Sequence, residues 1–484
     1  MNRVISSIKN SPFVWLSFAL MLGVALSRAI YVNSTDTLWQ IRSGIDMLDS
    51  GKISHYDDYS WTMSGAQYIS NSWLWNVTVG FLYRLNGIEA IVALGFALVS
   101  VIIILLALLI RKHDLAWSST FIGIALFGLF SNIWLTERPQ LIDYISILLI
   151  LVISKRLDFK ISKNLVIGSA LLFSIIVFWQ NFHLSAPLGV VIIFFVVLDN
   201  LLTNSESRVR NPKTLIMPIL KSGLVTVIVA LGCFLTPYGL DGVTKGLNTS
   251  GASVGIITEW MTPISAFVEA GWCSVVSLLI GALASVHTWK TKRPAYFMLL
   301  VLMLVLTSQQ NRWSPFLAII AMVPFLQFLA NFALHSAVAK LRPYLYAVSA
   351  ATAFIFLGLG SFALIPHDVL AGTKTGYTVA SHLPAGCKLF NADETGGPIM
   401  LLRPDIKVSA DGRNDLYGRE KFIYYASLGA HDPEEALTWL DQQQVTCVVT
   451  SPYRTLGPTL LNSSQWRMTY EDPDGFKVFV KEKS

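Results

Sequence analysis

Charge is scarce in this chain. Only 14% of its 484 residues are Asp, Glu, Lys or Arg, where a soluble domain carries about 25%. With 53% hydrophobic residues, this excludes an ordinary soluble protein and points to a polytopic membrane protein. Cysteine is also rare. The four present, Cys233, Cys273, Cys387 and Cys447, lack metal-ligand spacing. Cys387 and Cys447 share the polar C-terminal region, which leaves a disulfide between them open. A Gly-rich phosphate loop and HExxH are missing. The simplest routes to nucleotide hydrolysis and zinc-protease chemistry go with them. There is no internal repeat and no low-complexity tract. The net charge of +6 is modest, and no basic cluster is interleaved with base-stacking aromatics. Nucleic acid is therefore not an expected partner.

What the chain does have is long apolar runs. A span needs about 20 residues for a hydrocarbon core near 30 Å. Eleven runs qualify, near 12–30, 88–110, 115–135, 140–154, 165–182, 184–203, 215–236, 273–289, 295–308, 313–333 and 343–364. Those at 140–154 and 295–308 are short. Ser27-Arg28-Ala29 is also a tolerable signal-peptidase site after the first run. With Arg3 and Lys9 placed in the cytoplasm, one set of connections collects most of the Lys and Arg, from Arg111 and Lys112 through to Lys340 and Arg342. This bias predicts a cytoplasmic N-terminus and an outward-facing tail. The expected domains are a transmembrane domain at 1–365, with a first outer loop at 31–87, and an extracytoplasmic α/β domain at 366–484. In the tail, strand-like runs fall at 388–392, 406–412, 446–451 and 476–482, and a helix follows Asp432.

The other connections hold the chemically interesting residues. Asp36 follows the first span in "STDTLWQIRSGIDML". It reads either as the cap of a short interfacial helix or as a carboxylate whose basicity is tuned by partial burial. His55, Asp57 and Asp58 form either a turn or a divalent-cation site, with Mg or Mn the natural choice. Glu137 and Arg138 sit at the outer end of the third span. Arg312, in "QQNRWSPF", is a lone cation in an apolar stretch. Such a residue faces a cavity, an ion-pair partner or a phosphate. His183, after "WQNF", and Glu259-Trp260 have groups suited to hydroxyl-rich ligands, and equally to a membrane interface. Asp411 and Arg413, in "SADGRNDLYGRE", form either a ligand loop or a self-satisfied turn. Polar groups gathered at one face suggest a surface site; a transport pathway would place them near mid-membrane.

Asp36, Trp39 and Gly44, then Gly51 to Thr62 as GKIS-x-x-D-x-x-S-x-T, then Trp73-Leu74, resemble the first outer loop of bacterial GT-C membrane glycosyltransferases. "ERPQL", "WQNFH", "TPYG", "EW", "QQNRWSPF" and "DGRNDLYG" follow in order, similar to a bacterial branch with a C-terminal extracytoplasmic α/β domain. The resemblance covers nearly the whole chain and implies that the first run is retained as a helix. It implies an α-helical polytopic fold and an inverting transferase of the inner membrane. The donor would be a polyprenyl-phosphate sugar and the acceptor a glycan, lipid or protein. Asp36 matches the superfamily's acidic residue in that loop. Asp57 and Asp58 fall at a second acidic site that binds a cation in some members, although His55 departs from the usual residue before it. On this expectation Arg312 and Arg138 hold the donor phosphate. Glu137, His183, Glu259, Trp260, Asp411 and Arg413 serve sugar or acceptor. The competing readings are a lipid-linked saccharide transporter and a non-catalytic envelope-assembly protein.

Overall fold

The computed structural model describes residues 12–28, 32, 34, 36–203, 215–248, 257–333, 342–364, 377–430 and 432–482. The expected domain boundary at 365–366 and the cleavage site at Ala29 lie outside these residues. The helices through the first three quarters are α1 Pro12–Ser27, α2 Asp36–Ser50, α3 Trp73–Lys112, α4 Trp117–Phe130, α5 Gln140–Arg156, α6 Ser162–Phe182, α7 Ala186–Leu202, α8 Ile216–Ala230, α9 Gly239–Asn248, α10 Trp272–Lys290, α11 Pro294–Gln309, α12 Ser314–Ala333 and α13 Arg342–Ser361. The tail follows as β1 Leu389–Asn391, α14 Asp393–Leu402, α15 Asn414–Tyr417, α16 Arg419–Ser427, α17 Pro433–Gln442, β2 Cys447–Thr450, α18 Leu456–Leu461, β3 Trp466–Glu471 and β4 Lys477–Lys481. The chain divides into two compact units. One comprises Met1–Ile30, Val92–Leu247 and Val254–His367; the other comprises Tyr31–Ile91, Asn248–Ser253 and Asp368–Ser484.

In the first unit each expected apolar run is a helix. Five helical stretches are long and apolar enough to cross a membrane: Trp73–Lys112, Ser162–Phe182, Ile216–Phe234, Phe267–Lys290 and Asn311–Asn331. Five shorter apolar helices and α5 occupy the other runs. An α-helix satisfies its own backbone in lipid, which is why apolar runs take this form. Large apolar side chains point outward, including Trp15 at 72%, Val166 at 69% and Phe354 at 72% exposure. Such a surface suits lipid rather than water. Without a hydrophobic force between helices, close packing must hold the bundle. The first and last spans meet through glycine: a Cβ at Gly23 would lie 2.7 Å from the backbone of Leu357 on α13, and one at Gly360 would lie 2.7 Å from Leu26 on α1. Helix α3 starts earlier than expected. It is broken at Asn86–Gly87, where Gly87 has φ 62, a left-handed position that glycine takes without cost.

The second unit is built on a four-stranded sheet of order β1-β2-β4-β3. β1 and β2 are parallel, with Leu389 opposite Cys447, and the remaining pairs are antiparallel. Cys387 and Cys447 form a disulfide, with Cα atoms 6.0 Å apart. Asp432 caps α17 through the amides of Glu434 and Glu435. The expected strand at 406–412 is not a sheet strand. Val408 instead bridges Ser60, donating its amide to Tyr59 and accepting from Trp61. Segment 466–471, not expected as a strand, takes the sheet edge. Helix α2 packs one face into its unit. Eight of its residues are buried, and Trp39 joins Leu389, Ile399, Val408, Val449 and Val478 in the core of the tail. It also crosses the start of α3 closely, at Gly44 and Gly80.

Candidate active site

Asp36 is the first residue of α2 and is half-buried. Trp39 Nε1, one turn on, donates to its Oδ1 at 3.2 Å. Against the same oxygen lies the backbone of Gly412, so closely that a Cβ there would overlap it. Gly412 is held by its neighbours. Asp411 and Arg413 are 0% and 2% exposed. Arg413 donates from Nε to Asp411 Oδ1 at 2.8 Å and from Nη2 to Oδ2 at 2.6 Å. Tyr417 adds a hydrogen bond to Oδ2 at 2.8 Å. Arg413 Nη1 lies 2.6 Å from Asp57 Oδ1, and its guanidinium packs on the rings of Tyr59 and Tyr68. Burial pushes the Asp411 carboxyl up, but the Arg413 charge and hydrogen bonds outweigh it and hold Asp411 below the usual carboxylate range. Burial also pulls Arg413 down, and Asp411 more than reverses this. Two carboxylates and one cation thus fix the turn that borders Asp36.

The helical unit holds a second polar cluster. Arg138, before α5, pairs with Glu259 at 3.3 Å. Arg312 lies over the Trp260 indole, 3.8 Å from the ring centre. Among the described residues Arg312 makes no ion pair within 4 Å. Asn311 fastens this segment to the 258–262 connection, through its amide to Met261 O at 3.0 Å and its side chain to Thr258 O at 3.1 Å. Burial pushes the Glu259 carboxyl up, and the charges of Arg138 and Arg312 overcome this and hold it low. His183 also acts on Glu259. Its Nδ1 is 2.8 Å from Asp143 Oδ2, and Trp179 Nε1 donates to Asp143 Oδ1 at 2.6 Å. The cluster is one guanidinium on an indole ring, beside an acid with its own counter-charge.

No protein-family model matches the sequence, and no curated protein matches it. Solved structures do. The oligosaccharyltransferase of Archaeoglobus fulgidus, tethered to an acceptor peptide containing an NVT sequon, superposes with a TM-score of 0.58 at 12% identity. The match covers 99% of this chain and 75% of that one. Its apo form gives 0.55 at 12% identity, over 97% and 74% of the two chains. ArnT of Cupriavidus metallidurans, bound to undecaprenyl phosphate, gives 0.51 at 12% identity, over 96% and 97%. The chain has the GT-C fold.

Within the GT-C fold the residues expected from sequence fall into separate groups. Asp36, Asp57, Asp411 and Arg413 belong to the second unit and meet around one turn. Arg138, His183, Glu259, Trp260 and Arg312 belong to the helical unit and form the other cluster. Glu137 departs from its group: it packs on Gly95 of α3 and acts on Arg28. The proposed cation ligands do not form a donor set. Asp57 is 0% exposed and engaged by Arg413, Ser60 and the Tyr59 amide, whereas His55 and Asp58 are exposed. Among the described residues no group of three His, Cys, Asp or Glu could hold a metal ion. Asp143 was missed. A fully buried acid at the start of a short span was its signal, and the apolar run around it hid it.

Proposed function

We propose that the chain is a glycosyltransferase of the bacterial cytoplasmic membrane. It would move a sugar from a polyprenyl-phosphate-linked donor to an acceptor at the extracytoplasmic face, with inversion. The observation that carries the reading is Asp36: a half-buried carboxylate just after the first span, oriented by Trp39 and bordered by a rigid turn. Arg312, stacked on Trp260 without an ion pair among the described residues, supports it. So do two neighbours of this fold, one bound to undecaprenyl phosphate and one carrying an acceptor peptide. The Cys387–Cys447 disulfide supports an oxidising, extracytoplasmic location for the tail.

In this reading Asp36 accepts the proton of the acceptor hydroxyl as its oxygen attacks the anomeric carbon. The bond from that carbon to the phosphate oxygen breaks, and its electron pair leaves with polyprenyl phosphate. One displacement gives inversion. Arg312 takes up the charge developing on the phosphate, with Arg138 adding to the field while paired to Glu259. Glu259, Trp260 and His183 line the sugar side. Asp57, Asp411 and Arg413 are positioning residues for the turn beside Asp36, and Glu137 is structural.

The test uses the full chain in lipid nanodiscs with a panel of polyprenyl-phosphate sugars, reading release of polyprenyl phosphate. Asp36→Asn is expected to lower turnover about 10²–10⁴-fold, the usual contribution of a general base, with thermal stability retained. Arg312→Ala is expected to weaken donor binding. Wild-type turnover by Asp36→Asn would remove Asp36 from the mechanism. No release from any donor of this class by the wild type would overturn the transferase reading itself.

A further inference from the structure

The helical unit contains a cavity at the opposite end of α5 from Arg138. Helix α5 has 17 residues, about 25 Å of rise, and Asp143 lies near its start while Ser154, Lys155 and Arg156 lie at its end. These three, with His113, Asp199 and Arg293, line a space of about 410 Å³ whose remaining wall is largely apolar, including Leu109, Leu151 and Val196. That volume suits a small ligand or a head group. The cavity belongs to neither polar cluster described above.

Its polar groups are incompletely used. Arg293 grips one oxygen of Asp199 twice, at 3.1 and 2.6 Å. The other oxygen, Asp199 Oδ1, is buried with no hydrogen-bond partner among the described residues, and so is Ser154 Oγ. Both residues are only 4% exposed. A buried acceptor left open costs free energy unless a donor fills it. Lys155 and Arg156 are exposed at the rim and form no ion pair within 4 Å among the described residues. His113 is pushed down to about 4, by burial first and then by the charges of Lys155 and Arg293. It is neutral at pH 7, leaving three cations against Asp199 and Asp158. The site therefore offers cations for a phosphate and a buried carboxylate oxygen for a donor. Its apolar wall is formed by buried side chains, Leu109, Leu151 and Val196 among them.

We propose that this cavity binds the head group of a membrane phospholipid, a phosphodiester that also carries a hydrogen-bond donor such as a primary ammonium or a glycerol hydroxyl. The phosphate would sit on Lys155, Arg156 and Arg293, and the donor would reach Asp199 Oδ1 and Ser154 Oγ. Basic pockets between spans commonly take anionic head groups. The unfilled carboxylate oxygen is what selects a donor-bearing one here. The proposal rests on the membrane fold and is independent of which reaction the chain performs.

Native mass spectrometry of the detergent-solubilised full chain tests it, with phosphatidylethanolamine, phosphatidylglycerol, phosphatidylcholine and inorganic phosphate added separately. Phosphatidylethanolamine or phosphatidylglycerol should be retained at least tenfold more than phosphatidylcholine, whose quaternary head has no donor. Ser154→Ala and Lys155→Gln, away from the Arg293–Asp199 pair and so tolerated by the fold, should each reduce retention severalfold. Equal retention of phosphatidylcholine would overturn the proposal. So would unchanged retention in both variants. Binding of inorganic phosphate that displaces the lipid at equal concentration would assign the cavity to a soluble phosphate instead.

Discussion

Replacing Arg413 by Ala should do more than remove one ion pair. Asp57 and Asp411, both 0% exposed, would be left inside the unit without their shared cation. Breaking a buried pair in this way costs about 3–5 kcal/mol, which lowers Tm by on the order of 10 °C for a unit of this size. The pH dependence should also change sign. In the wild type the Asp411 carboxyl is held low, so its stabilisation is full above its unfolded pKa of about 4. It is lost as pH falls through the folded value. In Arg413→Ala the Asp411 carboxyl, still buried and without its cation, favours protonation. Stability should then rise as pH falls from about 7 to 5. Intrinsic tryptophan fluorescence of the purified full chain, melted across that range, reads both effects. Arg413→Met combined with Asp57→Asn and Asp411→Asn should recover much of the loss, since neutral replacement of a whole buried ion cluster is often well tolerated. A Tm shift under about 2 °C for Arg413→Ala, with the wild-type pH slope retained, would refute the reasoning.

Other outcomes follow from single contacts. Gly412→Ala places a methyl on Asp36 Oδ1 and should impair transfer in the nanodisc assay while Tm changes little. Cys387→Ser opens a cross-link spanning 60 residues; the chain-entropy estimate is about 4 kcal/mol, visible as a Tm drop that added reductant reproduces in the wild type. Gly23→Leu forces α1 away from α13 and should cost about 1–3 kcal/mol, measured as a lower Tm and faster trypsin cleavage.

The spans were legible because lipid demands long apolar runs and the pattern needs no tertiary information. The acidic cap of α17 was legible because Asp432 and Pro433 act locally. The fate of 406–412 was not. Its alternation resembles a strand, but its hydrogen bonds go to Tyr59 and Trp61, a pairing between distant segments that no local rule specifies. Arg413 and Asp57 were visible as polar residues, yet their roles depended on meeting each other, more than 350 positions apart. Asp143 was obscured by the apolar run that made α5 easy to find.

The pairing of the 59–62 segment with the tail also sets an order of events during synthesis. Trp61 donates to Leu389 O and Thr62 to Ser409 O, across separations of 328 and 347 residues. A chain emerging N-terminus first exposes Asp36 and its loop long before the strands and turn that complete them exist. A nascent chain stopped between Ser361 and Gly412 has its spans but lacks the wall beside Asp36. Completion of the last segment would then act as a quality gate, and prematurely terminated copies would insert in the membrane as inert proteins.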